Sequence, residues 1–527
     1  MDELRVLSPT AILGYGFPVE SFEEGMKRKP HVIAVDAGST DPGPYYLGAG
    51  KSFTDNNSVK RDLEIMIPAA LEAGIPVIIG TAGGSGARPH VALTLELIKE
   101  IAHEKGLTFK LAVIQSELNR ELVREKLRAE EVQPLFPAKE LTEKEIDEAV
   151  HIVAQMGEEP YIQALKMGAD VILGGRSYDP SLFAALPIKE GFDKALALHM
   201  GKILECAAIA ALPGSGSDSM FGYLQRDGFI LEPLSPARKC TPLSVAAHTL
   251  YEKSNPYVLP GPGGALDLHE CTFTPVGDNK VKVVGTRFVP TDGYFVKLEG
   301  VRKVGYRTIS CAGVMDPVMI AKIDEITADV KKRVKNNFEH YGFQEFFLDF
   351  KIYGKGGVSL FSATGDTTGD TTGSKADNES ISLVDDAYRQ ESIKDRGNDL
   401  AMPDELMIII EAVAPTREQA NTICGFARST LLHHGYEGRV ATAGNLAFPF
   451  SPSDAEMGEV FEFNIYHLMK VDDPVSLFPA TYIQFNQGKA IIENNNPTHV
   501  NKTSCGKTPQ SSEDNSPNEK GGENHAV

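Results

Sequence analysis

Three short apolar runs, each broken by a glycine-rich polar turn, constrain this chain more than any other feature. They are HVIAVDAGSTDPGP (31–44), IPVIIGTAGGSGARPH (75–90) and ADVILGGRSYDPS (169–181). Apolar runs of four to six residues, rich in Val and Ile, suit strands buried on both faces of a parallel sheet. Each turn then sits where its strand emerges at the carboxyl end, the edge at which open α/β sheets bind ligands. Three such turns predict one composite site.

Helical patterns alternate with these runs. SVKRDLEIMIPAALEAG (58–74) begins with Ser and ends with Gly, and a second helix spans about 89–105 with Pro in its first turn. A strand over 109–115, a charged helix over 119–130, helical patterns over 143–156 and 159–166, and a strand at 171–173 continue the alternation. That order implies βαβ units, hence an α/β fold whose amino-terminal domain, 1–220, is built on a parallel sheet. The segment DKALALHMGKILECAAIAAL (193–212) is apolar around most of a helix, which predicts burial in a domain or subunit interface. Residues 221–361 carry more Pro, more Gly and β-type phrases such as NKVKVVGTRFVP, and read as a β-rich second domain or insertion. The repeat GDTTGDTTGSK heads a polar stretch, 362–400, read as a mobile loop. LMIIIEAVA, then TREQANTICGFARSTLLHHG, then VFEFNIYHLMKV predict a small α+β domain over 401–490, and 491–527 reads as a disordered tail.

At 527 residues the chain is too long for one compact core. No apolar stretch approaches the roughly 18 residues of a membrane span, and MDELRVLSPT lacks the regions of a secretory signal. Six Cys are scattered without a CxxC spacing, a pattern of reduced thiols rather than of a disulfide framework. A net charge of −20 argues against a nucleic-acid partner. These features predict a cytoplasmic protein with a small-molecule substrate, no membrane or nucleic-acid partner, and assembly as a homo-oligomer.

Each turn carries candidate chemistry. In GTAGGSGAR, Gly83, Gly84, Ser85 and Gly86 let the backbone approach a ligand at a helix amino terminus, and Arg88 adds a bidentate clamp for an anion. The turn is neither GxGxxG nor a P-loop. DAGSTDPGP places Asp36, Ser39, Thr40 and Asp41 within six residues. Its carboxylates suit a divalent cation such as Mg²⁺ or a general base, and equally suit the hydrogen bonding of turns. GGRSYDPS offers Arg176, Ser177 and Tyr178, with Arg176 the leading anion clamp, while Asp179-Pro180 reads as the cap and first turn of a helix. Glu205, in the apolar 193–212 helix, needs a partner or a raised pKa. GPGG (261–264) reads as a lid hinge or a plain turn. LDLHE is not HExxH and no GxSxG is present, which removes the zincin and α/β-hydrolase readings. No motif identifies a cofactor.

At GADVILGGRSYDPS, GKILECAA and the DAGSTDPG/GTAGGSGA pair, the chain resembles the acyclic terpene utilisation (AtuA-like) family. The likeness runs over about 5–315 and more loosely through GNLAFPFSPSD. It implies a cytosolic catabolic enzyme of the citronellol and geraniol type of pathway, with hydration of an unsaturated acyl-CoA as the suggested role; no catalytic residue is carried over from it. The GDTTGDTTG repeat and the long polar tail depart from the plain pattern. The expectation is a hydro-lyase acting on an unsaturated or branched carboxylic acid or its CoA thioester. Backbone N–H groups of Gly83, Gly84 and Gly86, with Arg88 or Arg176, would hold the oxyanion, and Asp36 or Asp41 would move the proton. Two alternatives are a metal-assisted hydrolase or isomerase of a small organic acid, and a non-catalytic accessory subunit docking through the 193–212 helix.

Overall fold

Val32–Asp36, Val77–Gly80, Phe109–Ile114 and Val171–Gly174 are strands in which nearly every residue is buried, as uninterrupted Val/Ile runs require. They come from a computed structural model that describes residues 1–250, 255–340, 342–343, 345–355, 403–440 and 443–492. With Glu3–Ser8 they make five parallel strands, in the spatial order 3–8, 32–36, 77–80, 171–174, 109–114. The helix Arg88–Lys105 carries the chain from Val77–Gly80 to Phe109–Ile114, and Val171–Gly174 later fills the gap between them. Pairing of Asp36 with Gly80, Ile79 with Leu173 and Ile114 with Gly174 sets the three glycine-rich turns side by side at one edge.

Antiparallel strands widen this sheet to eleven. Met220–Gln225, Phe229–Pro233, Lys280–Val284 and Thr272–Val276 extend it beyond Glu3–Ser8, and Ala480–Asn486 with Lys489–Ile492 extend it beyond Phe109–Ile114. The sheet therefore runs through the boundary expected at 221, and it takes in 480–492 from the far end of the chain.

The carboxyl-terminal half supplies a second sheet. Tyr294–Val314, Phe347–Tyr353, Leu406–Ala414 and Asp454–Val471 lie in the order 347–353, 406–414, 294–314, 454–471. The helices Ile323–His340 and Arg417–Leu432 fall in the βαββαβ positions of a ferredoxin-like unit. Even-numbered residues such as Ile408, Ile410, Ala412 and Val314 pack with those helices in one core, the alternation expected of a half-covered antiparallel sheet. Two strands of the amino-terminal half join it: Val132–Pro134 pairs with Asp454–Val471, and Ala149–Ala154 pairs with Tyr294–Val314. The helix expected over 143–156 accordingly stops at Glu148, after a capping box between Thr142 and Glu145. His151, Ile152 and Val153 find a strand partner in Glu299–Val301, and cross-strand pairing overrides the helical pattern here, helped by the β-branched Ile152 and Val153.

The apolar helix is Lys194–Leu204, and every residue from Ala195 to Leu204 is buried within the chain, against Pro180–Lys189 and Met220–Gln225. Internal packing explains the composition of Lys194–Leu204, while Ile209 and Leu212, further along the same apolar segment, are exposed. The GPGG turn joins Val258–Gly261 to Gly264–Asp267 in a hairpin. No described helix is long and apolar enough to cross a membrane, and the five described cysteines are free thiols. The segment 362–400 lies outside the described residues, as does the tail from 493.

On that buried helix His199 places Nδ1 2.6 Å from Thr286 Oγ1 and stands edge-on to Phe229. Burial pushes its pKa down to about 3. The unfolded chain takes up a proton below about pH 6.5 that the folded chain refuses until about pH 3, so stability falls as pH drops through that window, by at most ~1.4 kcal/mol per pH unit. His199→Gln is expected to flatten the fall; urea midpoints measured at pH 7, 6 and 5 for both proteins check it.

Candidate functional site

The carboxyl edge of the parallel sheet, the Tyr294–Val314 and Asp454–Val471 strands and the Val258–Asp267 hairpin enclose a cavity of about 550 Å³. That size lies in the range of small-molecule sites. Its polar wall includes Ser39, Asp41, Gln155, Arg176, Asp179, Lys202, Glu205 and Lys297; Leu135, Val258, Pro260, Phe295 and Leu468 are apolar. Strand periodicity accounts for the sheet's share. Phe295, Lys297 and Glu299 alternate with residues of the other face, and Tyr466 and Leu468 stand opposite Glu299 and Lys297.

Arg176 is the hub. Its backbone N–H donates to Ser116 Oγ at 2.5 Å, fixing the end of Val171–Gly174 against the end of the neighbouring strand. Nε donates to Glu299 Oε2 at 2.7 Å, and Nη1 to Ser177 O at 2.8 Å and Asp179 Oδ1 at 3.0 Å. Nη2 has no partner among the described residues, and Arg176 forms part of the cavity wall. A buried guanidinium with one nitrogen left open is suited to a carboxylate or a developing oxyanion.

The carboxylates around it divide sharply. Glu299 is buried and accepts from Arg176, from Thr40 Oγ1 at 2.9 Å and from Lys297 Nζ at 2.7 Å. Burial alone would raise its pKa, but the Arg176 and Lys297 charges and their hydrogen bonds hold it at about 2. Asp179 titrates above the usual carboxylate range, because burial outweighs the pull of Arg176 and Lys202. Asp36 is raised well above that range by burial and by the charges of Asp179 and Glu205. Lys202 and Glu205 are themselves ion-paired along one helix face. Tyr178 on the wall is held protonated by burial.

The structure thus gathers Asp41, Ser39, Arg176 and Tyr178 on the cavity wall, with Thr40 bonded to Glu299 beneath it. Asp36 is buried and not part of the wall; its Oδ1 accepts the Ala37 N–H at 2.9 Å. Ser177 is buried too, its hydroxyl 2.6 Å from that of Tyr161. The glycine cradle needs correction. The Gly84 and Gly86 N–H groups donate to Thr81 O and Ala82 O within their own turn. Gly83, Gly84, Ser85 and Gly86 are buried, and none of them is on the wall. Gly86, at φ +68°, lies so near the next turn that a Cβ would stand 2.0 Å from Arg176 N. Glycine here serves backbone-to-backbone packing, not ligand approach. Arg88 opens its helix with an exposed side chain, its N–H donating to Glu117 Oε2, away from the cavity wall. Asp179 stands at the N-cap position of Pro180–Lys189, with Pro180 in the first turn, but its carboxylate makes no cap bond and binds Arg176 instead.

Sequence reasoning missed Lys297 and Glu299, which lie over 120 positions from Arg176 with no motif of their own. Lys202 and Glu205 were visible as charges on an apolar helix. Among the described residues no group of three or more His, Cys, Asp or Glu is placed to hold a metal ion.

The family whose sequence model matches is described as acyclic terpene utilisation family protein AtuA, over residues 50–214 and 229–392. No curated protein and no solved structure matches the chain.

Two substitutions probe the frame of the site. Gly86→Ala should cost more than about 2 kcal/mol, since both its φ and the space are wrong for a side chain. Glu299→Gln should cost about 3–5 kcal/mol by leaving Arg176 buried without its main counter-charge. Chemical denaturation of each variant checks both.

Proposed function

The chain belongs to the acyclic terpene utilisation family, and from that premise we propose that it is a hydro-lyase of acyclic terpene catabolism. Its substrate is an unsaturated or branched carboxylic acid or the CoA thioester of one. The open Nη2 of Arg176, in a cavity that also has apolar walls, carries this reading.

Water adds across a double bond conjugated to a carboxyl or thioester carbonyl, and negative charge builds on that carbonyl oxygen. Arg176 Nη2 and the Lys297 ammonium are the groups that would receive it. Glu205, ion-paired with Lys202, takes a proton from the water as its oxygen bonds to the β carbon. Asp179 keeps its proton at higher pH than an ordinary carboxyl and gives it to the α carbon. Such an addition needs an acid and a base in different protonation states. Leu135, Val258, Pro260, Phe295 and Leu468 take the hydrocarbon part.

Asp179→Asn and Glu205→Gln are each expected to lower turnover by about 10²–10⁴-fold while ligand still binds. The ligand is found by thermal shift against 3-methylbut-2-enoate and its CoA thioester, with and without Mg²⁺. A ligand at 100 times its Kd stabilises the fold by about 2.7 kcal/mol. Stabilisation by the thioester alone fixes the substrate as acyl-CoA, and stabilisation only with Mg²⁺ favours the metal-assisted alternative. Full turnover in both variants removes the acid and base assigned here.

A further inference from the structure

Thr81 adopts the left-handed conformation, φ 50° and ψ 46°, directly after the strand Val77–Gly80. Five described non-glycine residues have positive φ, namely Lys29, Thr81, Glu130, Ala207 and Gln487, and Thr81 is the β-branched one among them. A branched Cβ makes this region strongly unfavourable, and such residues persist where the surroundings over-determine them. Glycine is the residue this backbone asks for, and the same turn supplies it at Gly83, Gly84 and Gly86, all with positive φ. At position 81 the chain keeps a hydroxyl instead.

That hydroxyl is completely buried and points at the anion anchor. Oγ1 accepts from Ser177 N–H at 3.3 Å and lies 3.5 Å from Arg176 Nη1. The Thr81 N–H donates to Gly175 O at 2.9 Å, and its carbonyl accepts from Gly84 N–H at 2.9 Å. One residue therefore ties the second glycine-rich turn to three consecutive residues of the third: Gly175, Arg176 and Ser177. Glu299 and Asp179 pull the guanidinium from two sides, while Thr81 fixes the backbone from which it springs.

We propose that Thr81 is a positioning residue, held in a strained conformation so that its hydroxyl sets the direction in which Arg176 presents Nη2 to the cavity. The inference rests on the assignment of Arg176 as the anchor for the substrate's carboxyl or thioester oxygen. The test compares Thr81→Gly, Thr81→Val and Thr81→Ser in the full chain. Calorimetry measures Kd for 3-methylbut-2-enoate and its CoA thioester, and melting temperature is the second readout. Gly and Val variants should weaken binding at least tenfold and Ser should stay within threefold of wild type. Thr81→Gly should melt at or above the wild-type temperature, because strain is relieved. A Gly variant that melts lower, or Gly and Val variants that bind like wild type, overturns the proposal. Arg176→Lys separates the two levels. Wild-type binding in that variant removes the anchor and this inference with it, whereas lost binding there beside unchanged binding in Thr81→Val removes the role of Thr81 alone.

Discussion

The buried pair of Arg176 and Glu299 is the contact on which the architecture turns. One partner lies in the turn just beyond a strand of the parallel sheet, and the other sits within the longest strand of the ferredoxin-like unit. Each charge loses several kcal/mol of hydration on burial, an expense a single ion pair seldom offsets. Here the geometry supplies more than one bond to each. Glu299 also receives Thr40 and Lys297, and Arg176 also binds Asp179 and a backbone carbonyl. The two sheets are fixed to each other at the place where the cavity opens.

The same cluster shows how position rather than residue type sets acidity. Glu299 and Asp36 are both buried carboxyls within the influence of Arg176. Glu299 has two cations in direct contact and stays ionised to about pH 2. Asp36 feels Arg176 only at a distance, has Asp179 and Glu205 as like-charged neighbours, and is raised instead. Neighbouring buried carboxyls of one cluster are in this way pushed in opposite directions.

The parallel strands were legible because a strand covered on both faces has to be apolar along its length, and residues 32–35 and 171–174 are. The place of the cavity was legible for the same reason, since each strand's end is marked by its turn and two of the three turns contribute to its wall. Other parts were hidden by contacts that no local pattern encodes. Ala149–Ala154 reads as a continuing helix until Tyr294–Val314 lies beside it. Asp179 has the sequence of a cap, and only the folded position of Arg176 shows its other use. The glycines of 83–86 point equally to a ligand or to another backbone, and it is Gly175–Arg176 that fills the space.

The strand Ala480–Asn486 closes the free side of Phe109–Ile114, although 366 positions separate Ala480 from Ile114. On a ribosome making 5–20 residues per second, that interval is about 20–75 s. Through it, Phe109–Ile114 is an apolar strand whose partner does not yet exist, and an open edge of that kind pairs readily with other chains. The newborn protein therefore carries an open strand edge through most of its own synthesis, until the closing strand emerges.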